Sequence, residues 1–242
     1  MVGVHSLRFH VREPKRLPIV VGFKRYLLFF DGNDYVRVPY FPPPSEFTLE
    51  VLFKIASLDV LPQGFIGQAA DIWSDTAYAF RVAADGRISF VTSADGSTVN
   101  DLRGSVVPEG RWCHAVATFK RPSKKIYING EVDAVGTWDH DVHASTSDII
   151  VGGYAFGTGL DYLLRGGIAL VRVYNRELSQ ADVRYNMVNY TSPVRSGLLM
   201  WLHDRIVGDT WHDESPYHND GTICGAMRKE LAMWEIRAEL GL

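Results

Sequence analysis

Short runs in which apolar and polar residues alternate recur along most of this chain, and Gly, Asp and Asn residues separate the runs. Within residues 47–55, for example, Phe47, Leu49, Val51 and Phe53 fall on one face. Successive side chains of a strand point to opposite faces, so a period of two is typical of a half-buried strand. The pattern therefore predicts many short strands joined by tight turns.

Two dipeptides predict hairpins. Asp85-Gly86 and Asn129-Gly130 each lie between two strand-like runs. Both pairs readily supply the positive φ angles that tight hairpin turns need. We therefore expect an antiparallel pair of strands on either side of each turn.

One helix stands out and is expected to begin near Ser179. Asp182 follows three residues later, so the two side chains can form a capping box, while Leu178 and Val183 occupy the hydrophobic-staple positions. Many strands, one short helix and the lack of internal repeats or linkers predict an all-β fold. We expect a two-sheet antiparallel β-sandwich of the jelly-roll type, forming a single domain over residues 1–242.

Composition narrows the classes of partner. The chain has 242 residues, of which 46% are hydrophobic and 22% charged, and its formal net charge is -3. No basic face is implied, so we expect no nucleic-acid partner. No apolar run approaches the length of a membrane span and residues 1–23 show no signal peptide, so we expect neither a membrane partner nor a visible export signal. Cys113 and Cys224 form no disulfide framework, and a single bridge and two free thiols both remain open.

Five stretches carry a resemblance to a known family. In chain order they read FDGNDYVRVP (residues 30–39), FTLEVLFKI (47–55), GRWCHAVATF (110–119), KKIYINGE (124–131) and GGIALVRVYNRELSQADV (166–183). Together, and in this order, they resemble motifs of the laminin-G-like branch of the concanavalin-A-like lectin/glucanase superfamily. The resemblance implies the concanavalin-A-like sandwich and a recognition or assembly role.

The chain departs from this family at two places. Ala169-Leu170 stands where the family's late strand has an acidic pair, which puts any role of that pair in doubt. Residues 198–226 resemble the segment that opens the family's domain, yet here they come late in the chain. The chain thus resembles a circular permutant, or one unit cut from a tandem array. In the first case residues 197–226 are the permuted opening segment, and 227–242 are a tail that suits either a strand or a helix.

The rotated order makes a structural prediction. We expect residues 198–201 to form a core strand beside residues 170–173 of the same chain, because the connection between them is short. The alternative is that this strand is donated to a neighbouring subunit, which would link copies of the chain.

Glycosidase chemistry needs two carboxylates that face one bond. The glucanase relatives place them on one strand in an E-x-D-x-x-E string, and no such string occurs here. Glu50 stands alone within an apolar strand and is interpreted as an outward-facing sheet residue. We therefore expect that the protein is not an enzyme and requires no cofactor, with a glycoside hydrolase as a minor alternative.

Two oxygen-rich turns are candidate metal sites. Asp31 and Asp34 lie in one, and Asp213 and Asp220 lie in the other. Calcium favours several such oxygens, and many relatives bind calcium, so calcium is a possible ligand. The alternative is that these side chains hold turns through their own backbone contacts. A third cluster, within residues 139–143, offers Asp139, Asp141 and His143 to a transition metal, or is a solvated loop.

Aromatic residues in polar, Gly-rich loops are candidate carbohydrate contacts. These are Trp73, Trp138, Tyr154, Phe156 and Tyr162. A flat aromatic face with a polar tip suits the face of a sugar ring, although core packing or a protein interface explains each residue equally well.

The sequence therefore predicts a non-catalytic recognition or assembly module that binds a glycan or a protein surface. One version is a surface or virus-particle (capsid decoration) protein that forms homo-oligomers or particles, located at the virion or cell surface. The alternative is a secreted lectin-like carbohydrate-binding module. Binding to glycans separates these two hypotheses.

Overall fold

A computed structural model of the chain describes residues 24–70, 74–156 and 160–242, and their regular structure is almost entirely antiparallel strand. The strands are β1 (Arg25–Asp31), β2 (Tyr35–Val38), β3 (Glu46–Ile55), β4 (Gln63–Gln68), β5 (Tyr78–Val82), β6 (Arg87–Ser93), β7 (Val99–Val106), β8 (Trp112–Lys120), β9 (Ser123–Ile128), β10 (Glu131–Thr137), β11 (Ile149–Val151), β12 (Ala155–Phe156), β13 (Leu160–Asp161), β14 (Arg165–Tyr174), β15 (Leu198–Val207), β16 (Thr210–Asp213), β17 (Gly221–Cys224) and β18 (Met227–Leu231). The helices are α1 (Gln180–Val188) and α2 (Met233–Leu240). In these parts of the chain, neither helix is long and apolar enough to cross a membrane.

Hydrogen bonds join sixteen of the strands into one sheet. Its main path runs β10-β9-β8-β3-β14-β15-β16-β17-β2-β11-β4-β5-β6-β7, with β1 and β18 attached beside β14 and with β12 and β13 as a separate pair. The all-β antiparallel prediction is confirmed. The division into two sheets is not, because the hydrogen bonding continues from one half of the molecule to the other through β16, β17, β2 and β11.

The long sheet curls until its two ends nearly meet. The Ser105 amide on β7 donates a hydrogen bond of 2.7 Å to the Asp133 carboxylate on β10, and Leu102 packs over Gly136. The contact is made by side chains and not by a strand ladder, so the sheet is a nearly closed barrel.

The halves of the curled sheet face one another across the main core. The inward face of β3 carries Phe47 and Phe53, as the alternation predicts. The ring of Phe53 lies 4.0 Å from that of Phe65 on β4, and the ring of Phe47 lies 5.9 Å from that of Phe90 on β6. Burial of these aromatic side chains supplies much of the hydrophobic driving force for the fold.

A second apolar layer covers the outward face of β3, β8, β14 and β15. Both helices pack there: α1 buries Val183 and α2 buries Ile236 against side chains such as Leu52 and Trp201. The prediction of a single helix is therefore wrong, because the described residues form two helices. The second helix forms in the tail because Ile236 and its neighbours cover apolar strand residues that would otherwise face water.

The start of α1 and the two hairpins agree with their sequence signals. Ser179 and Asp182 form a reciprocal capping box. At the second turn both Asn129 and Gly130 have positive φ angles, of 50° and 82°, whereas at the first turn only Gly86 does, with a φ of 77°.

The late segment pairs as predicted. Strand β15 lies antiparallel to β14 in the same chain, with Arg172 opposite Trp201 and Val173 opposite Met200. The intramolecular position of this strand is confirmed. The circular permutation itself stays a prediction.

Candidate functional site

The outer face of β4 to β7 gathers several of the predicted residues. Along these strands Ala79, Arg81, Ser89 and Val91 alternate outward, away from the main core. The loop that carries β12 and β13 crosses this face. Its backbone at Gly153 and Tyr154 lies so close to Gly64 and Gly67 that a Cβ atom at either glycine would collide with it. The two glycines therefore let the loop rest directly on the sheet.

A pair of tyrosines and one arginine form the centre of this face. The rings of Tyr154 and Tyr162 lie 5.7 Å apart, and the Arg81 guanidinium lies 5.7 Å from the first ring and 5.5 Å from the second. Tyr154 is buried, whereas Tyr162 is only half-buried. The cluster joins a planar cation to aromatic faces in the geometry of a cation–π contact.

Polar groups continue from the tyrosine–arginine cluster across the neighbouring strands. Ser89 donates a 2.6 Å hydrogen bond to Asp101, whose carboxylate also lies 3.7 Å from Arg81. Arg103 bridges Asp101 and Asp85, with contacts of 3.1 Å and 2.7 Å, and its side chain is exposed. Alternating carboxylates and guanidinium groups offer acceptors and paired donors to the hydroxyl groups of a ligand.

A small cavity adjoins Tyr162. It measures about 230 Å³ and is lined by Tyr162, Arg165, Gly32 and the segment from Val60 to Pro62. Gly32 belongs to the turn that holds Asp31 and Asp34. The structure thus brings one predicted carbohydrate contact next to one predicted metal-binding turn, although the turn contributes backbone and not a carboxylate to the lining.

Asp75 fixes the loops at the edge of this face. Its carboxylate accepts hydrogen bonds from Ser147 at 2.6 Å, His143 at 2.8 Å and Ser145 at 3.0 Å. Burial opposes ionisation of Asp75, but these hydrogen bonds outweigh it and hold its pKa below the usual range. The residue adopts a left-handed φ of 51°, so its backbone is held in this position by the contacts of its side chain.

The five predicted carbohydrate contacts do not form one site. Tyr154 and Tyr162 lie together, and Phe156 lies in β12 on the same loop. Trp73 lies outside the residues that the structure describes. Trp138 lies elsewhere, at the end of β10, where its ring packs 5.9 Å from that of Phe119.

The side chains of the predicted metal turns make the contacts of the alternative interpretation, in which they hold the turns by hydrogen bonds to the backbone. The buried Asp213 carboxylate accepts hydrogen bonds from the amides of Trp201, Ser215 and Asn219, each between 2.7 and 2.8 Å. Within the described ranges, no three His, Cys, Asp or Glu side chains are placed to hold a metal ion. Calcium stays a prediction.

The other predicted calcium ligands make turn contacts of the same kind. Asp220 accepts the Asp213 amide at 2.8 Å. Asp34 accepts the Asp31 amide at 2.8 Å, and burial, with the nearby Asp31 carboxylate, raises the pKa of Asp34.

The transition-metal cluster does not come together. Arg121 binds Asp139 and Asp141 at the surface, with contacts of 2.7 Å and 3.3 Å, whereas His143 binds Asp75. Cys113 and Cys224 are both free thiols, which settles the question that the sequence left open.

One buried polar network was missed from the sequence. Glu50 does not face solvent as predicted. It is fully buried, with its carboxylate 2.7 Å from Arg172, 2.9 Å from His114 and 2.8 Å from Asn186 of α1. Burial opposes its ionisation, but Arg172 and the two hydrogen bonds hold its pKa below the usual range. The available signal was the opposite charges of Glu50 and Arg172, each flanked on both sides by apolar residues of its strand.

The sequence matches a laminin-G family model described as concanavalin A-like lectin/glucanases superfamily over residues 30–184. Among curated proteins, none is significantly similar in sequence to this chain.

Solved structures share the fold at low identity. A candidate carbohydrate-binding protein from Bacteroides ovatus is 21% identical with a TM-score of 0.69, over 86% of this chain and 60% of that protein, so the chain spans less than two thirds of that protein's length. A heptameric pentraxin from Limulus polyphemus is 14% identical with a TM-score of 0.64, over 88% of this chain and 99% of the pentraxin. Domain 4 of an extracellular arabinanase from Geobacillus stearothermophilus, in complex with arabinotriose, is 20% identical with a TM-score of 0.52, over 68% of this chain and 81% of that domain.

Proposed function

We propose that this chain, which belongs to the concanavalin A-like lectin/glucanase superfamily, is a non-catalytic carbohydrate-binding module. The site that we propose is the outer face of β4 to β7 together with the cavity beside Tyr162. In this proposal the exposed part of the Tyr162 ring contacts a sugar face, while Arg103 and Asp101 bind its hydroxyl groups.

One observation carries the proposal: the tyrosine–arginine cluster lies beside an open row of paired charged groups. Sugar ligands combine flat apolar faces with many hydroxyl groups, and this arrangement offers a partner to both. Two of the proteins with the same fold are described in terms of carbohydrate, one as a candidate carbohydrate-binding protein and one as a domain in complex with arabinotriose. Their likeness supports the proposal without identifying a ligand for this chain.

The carboxylates of this face favour binding over hydrolysis. Glycoside hydrolysis requires one carboxylic acid that stays protonated near neutral pH. Burial acts against ionisation of both Asp75 and Asp85, but hydrogen bonds lower the pKa of each. Carboxyl groups tuned in this direction accept hydrogen bonds from hydroxyl groups and make poor proton donors.

The particle-protein alternative gains no support from the comparisons, and its virion or cell-surface location stays an untested prediction. Self-association is supported only by the heptameric state of the pentraxin with the same fold. We keep the two-sheet sandwich as a proposal. In it, the facing halves of the curled sheet correspond to the two sheets of a jelly roll.

Isothermal titration with arabinotriose and a panel of neutral trisaccharides tests the function. We expect at least one of these ligands to bind, and the Tyr162→Ala variant to bind it about fivefold more weakly, because a lost ring contact is worth about 1 kcal/mol. Tyr185 of α1, which is 47% exposed, provides the matched control, since Tyr185→Ala also removes a surface ring but leaves the site intact. Equal affinities of the wild-type protein and Tyr162→Ala would exclude the proposed site.

A further inference from the structure

A second groove lies apart from the Tyr162 cavity and shares no lining residue with it. It measures about 420 Å³ and is lined by Phe41, the segment Pro42 to Pro44, Asn175, Leu199, Tyr217 and Asn219. Its volume falls within the range of small-molecule sites in proteins.

The chemistry of the groove favours a neutral ligand. The described residues that line it are all uncharged, and they combine apolar surface with two side-chain amides, Asn175 and Asn219. Tyr217 is 61% exposed, so it is accessible to a ligand that enters the groove. An open aromatic ring beside amide groups offers both a flat face and hydrogen-bond partners, whereas a charged ligand would find no counter-charge.

The groove is held rigid from behind. The buried Asp213 carboxylate accepts the Asn219 amide at 2.7 Å, and the Asn219 side-chain nitrogen donates to the Leu199 carbonyl at 2.8 Å. The Tyr217 amide donates to the Ser215 hydroxyl at 3.2 Å, and that hydroxyl is itself bound to Asp213 at 2.7 Å. On the opposite wall, three consecutive prolines restrict the backbone. A site ordered before binding loses less entropy when a ligand enters.

From these observations we propose that the groove is a second saccharide-binding site, in which a neutral sugar ring lies against Tyr217. A neutral saccharide fits better than a protein partner, because a specific protein interface covers roughly 800 Å² on each partner and this groove is confined to a few side chains. The inference extends the proposed carbohydrate-binding function to a second place on the molecule, and it does not depend on the Tyr162 site. Two sites on one module would strengthen attachment to a polymer that reaches both.

Titration of single and double variants tests the second site. The ligands are arabinotriose, the neutral trisaccharide panel and, as a charged comparison, a trimer of galacturonate. We expect a Tyr162→Ala variant to retain binding of a neutral trisaccharide, and Tyr217→Ala in that background to reduce the remaining affinity about fivefold. Tyr217→Phe should restore most of it, because the ring is kept, and Tyr185→Ala should change nothing. The galacturonate trimer should bind the groove more weakly than its neutral counterparts.

The outcomes separate the two proposals. Binding that Tyr162→Ala abolishes and Tyr217→Ala leaves intact would overturn the second site and keep the proposed function. Binding that only Tyr217→Ala weakens would overturn the Tyr162 site and support the groove. Absence of binding by the wild-type protein to every ligand of the panel would overturn both. Circular dichroism melting of each variant identifies any loss that comes from unfolding, which is not expected at a side chain as exposed as Tyr217.

Discussion

Lys124 lies fully inside the protein, where strands β6, β7 and β9 come together. Its amine lies 2.9 to 3.1 Å from the Asn100 side-chain oxygen, the Phe90 and Asn100 carbonyls and the Thr92 hydroxyl. Burial lowers the pKa of this lysine to about 7, with Asp101 opposing the effect. A buried amine with these partners joins the two ends of the curled sheet, because β9 lies near one end and β7 forms the other.

From the lowered pKa of Lys124 we predict that the protein becomes more stable as the pH rises from 7 to 8.5. The amine has a pKa of about 7 when folded and 10.5 as an ordinary lysine, so the unfolded chain binds more protons across this interval. Stability rises with pH wherever the unfolded state binds more protons, with a slope of up to about 1.4 kcal/mol per pH unit for one group. Urea unfolding at several pH values measures the slope, and Lys124→Met, which cannot titrate, should show a flatter profile. Parallel profiles for the two proteins would refute this role.

The burial of a charged strand residue could not be predicted from the sequence, as Glu50 shows. A strand period of two places Glu50 outward, and it does point away from the main core. The outward face is covered, however, by helices and by residues far along the chain: His114, Arg172 and Asn186 are 64, 122 and 136 positions away. Local alternation assigns a face, but whether that face meets water depends on distant packing.

At the scale of elements, α1 offers a direct test of a sequence signal. Ser179 accepts a hydrogen bond from the Asp182 amide, and the Asp182 carboxylate accepts one from the Ser179 amide. We expect Ser179→Ala to lower the free energy of unfolding by about 1 kcal/mol, because an amide of the first helical turn loses its partner. Chemical unfolding measures the loss. Ser196→Ala, at an exposed serine outside the helix, is the control and should differ little from the wild-type protein.

If Ser179→Ala were as stable as the wild-type protein, α1 would be held by tertiary packing alone. Buried Val183 and the hydrogen bond from Asn186 to Glu50 would then account for its position.

The two helices differ in how far the sequence could predict them. α1 carries a capping box, whereas the N-cap of α2 is Ala232, which makes no side-chain capping bond. α2 is instead fixed by contacts with distant strands, such as Glu235 with Lys54 at 2.5 Å and the burial of Ile236. Elements with local signals could be predicted, and an element stabilised mainly by remote partners could not.

For the whole molecule, the order of family motifs predicted the pairing of β14 with β15 but not the continuity of the sheet. That continuity depends on β16, which pairs with β15 and β17, and on β17, which pairs with β2 and brings Thr222 opposite Arg37 and Ile223 opposite Val36. The candidate site was predicted in a similar, partial way. Tyr154 and Tyr162 were identified as loop aromatics, but Arg81 and Tyr217 gain their significance only from neighbours that the fold supplies.

The position of the late strands predicts that the chain cannot fold without them. Deleting everything after Pro193 removes β15 to β18 and α2, so one edge of β14 loses its partner, β2 loses its β17 neighbour and β1 loses β18. The deletion also removes Trp201 and Trp211, two of the largest fully buried side chains. We expect the truncated protein to be insoluble or to lack fixed packing, because unpaired edges and an open core are exposed together.

Near-ultraviolet circular dichroism and dye binding measure the loss of fixed packing. The control is a shorter deletion after Leu231, which removes α2 but leaves every strand of the sheet in place and should stay folded. A truncated protein that is a stable monomer with an unchanged melting temperature would mean that the late segment is an appendage, and the idea that it stands in for the family's opening segment would fail with it.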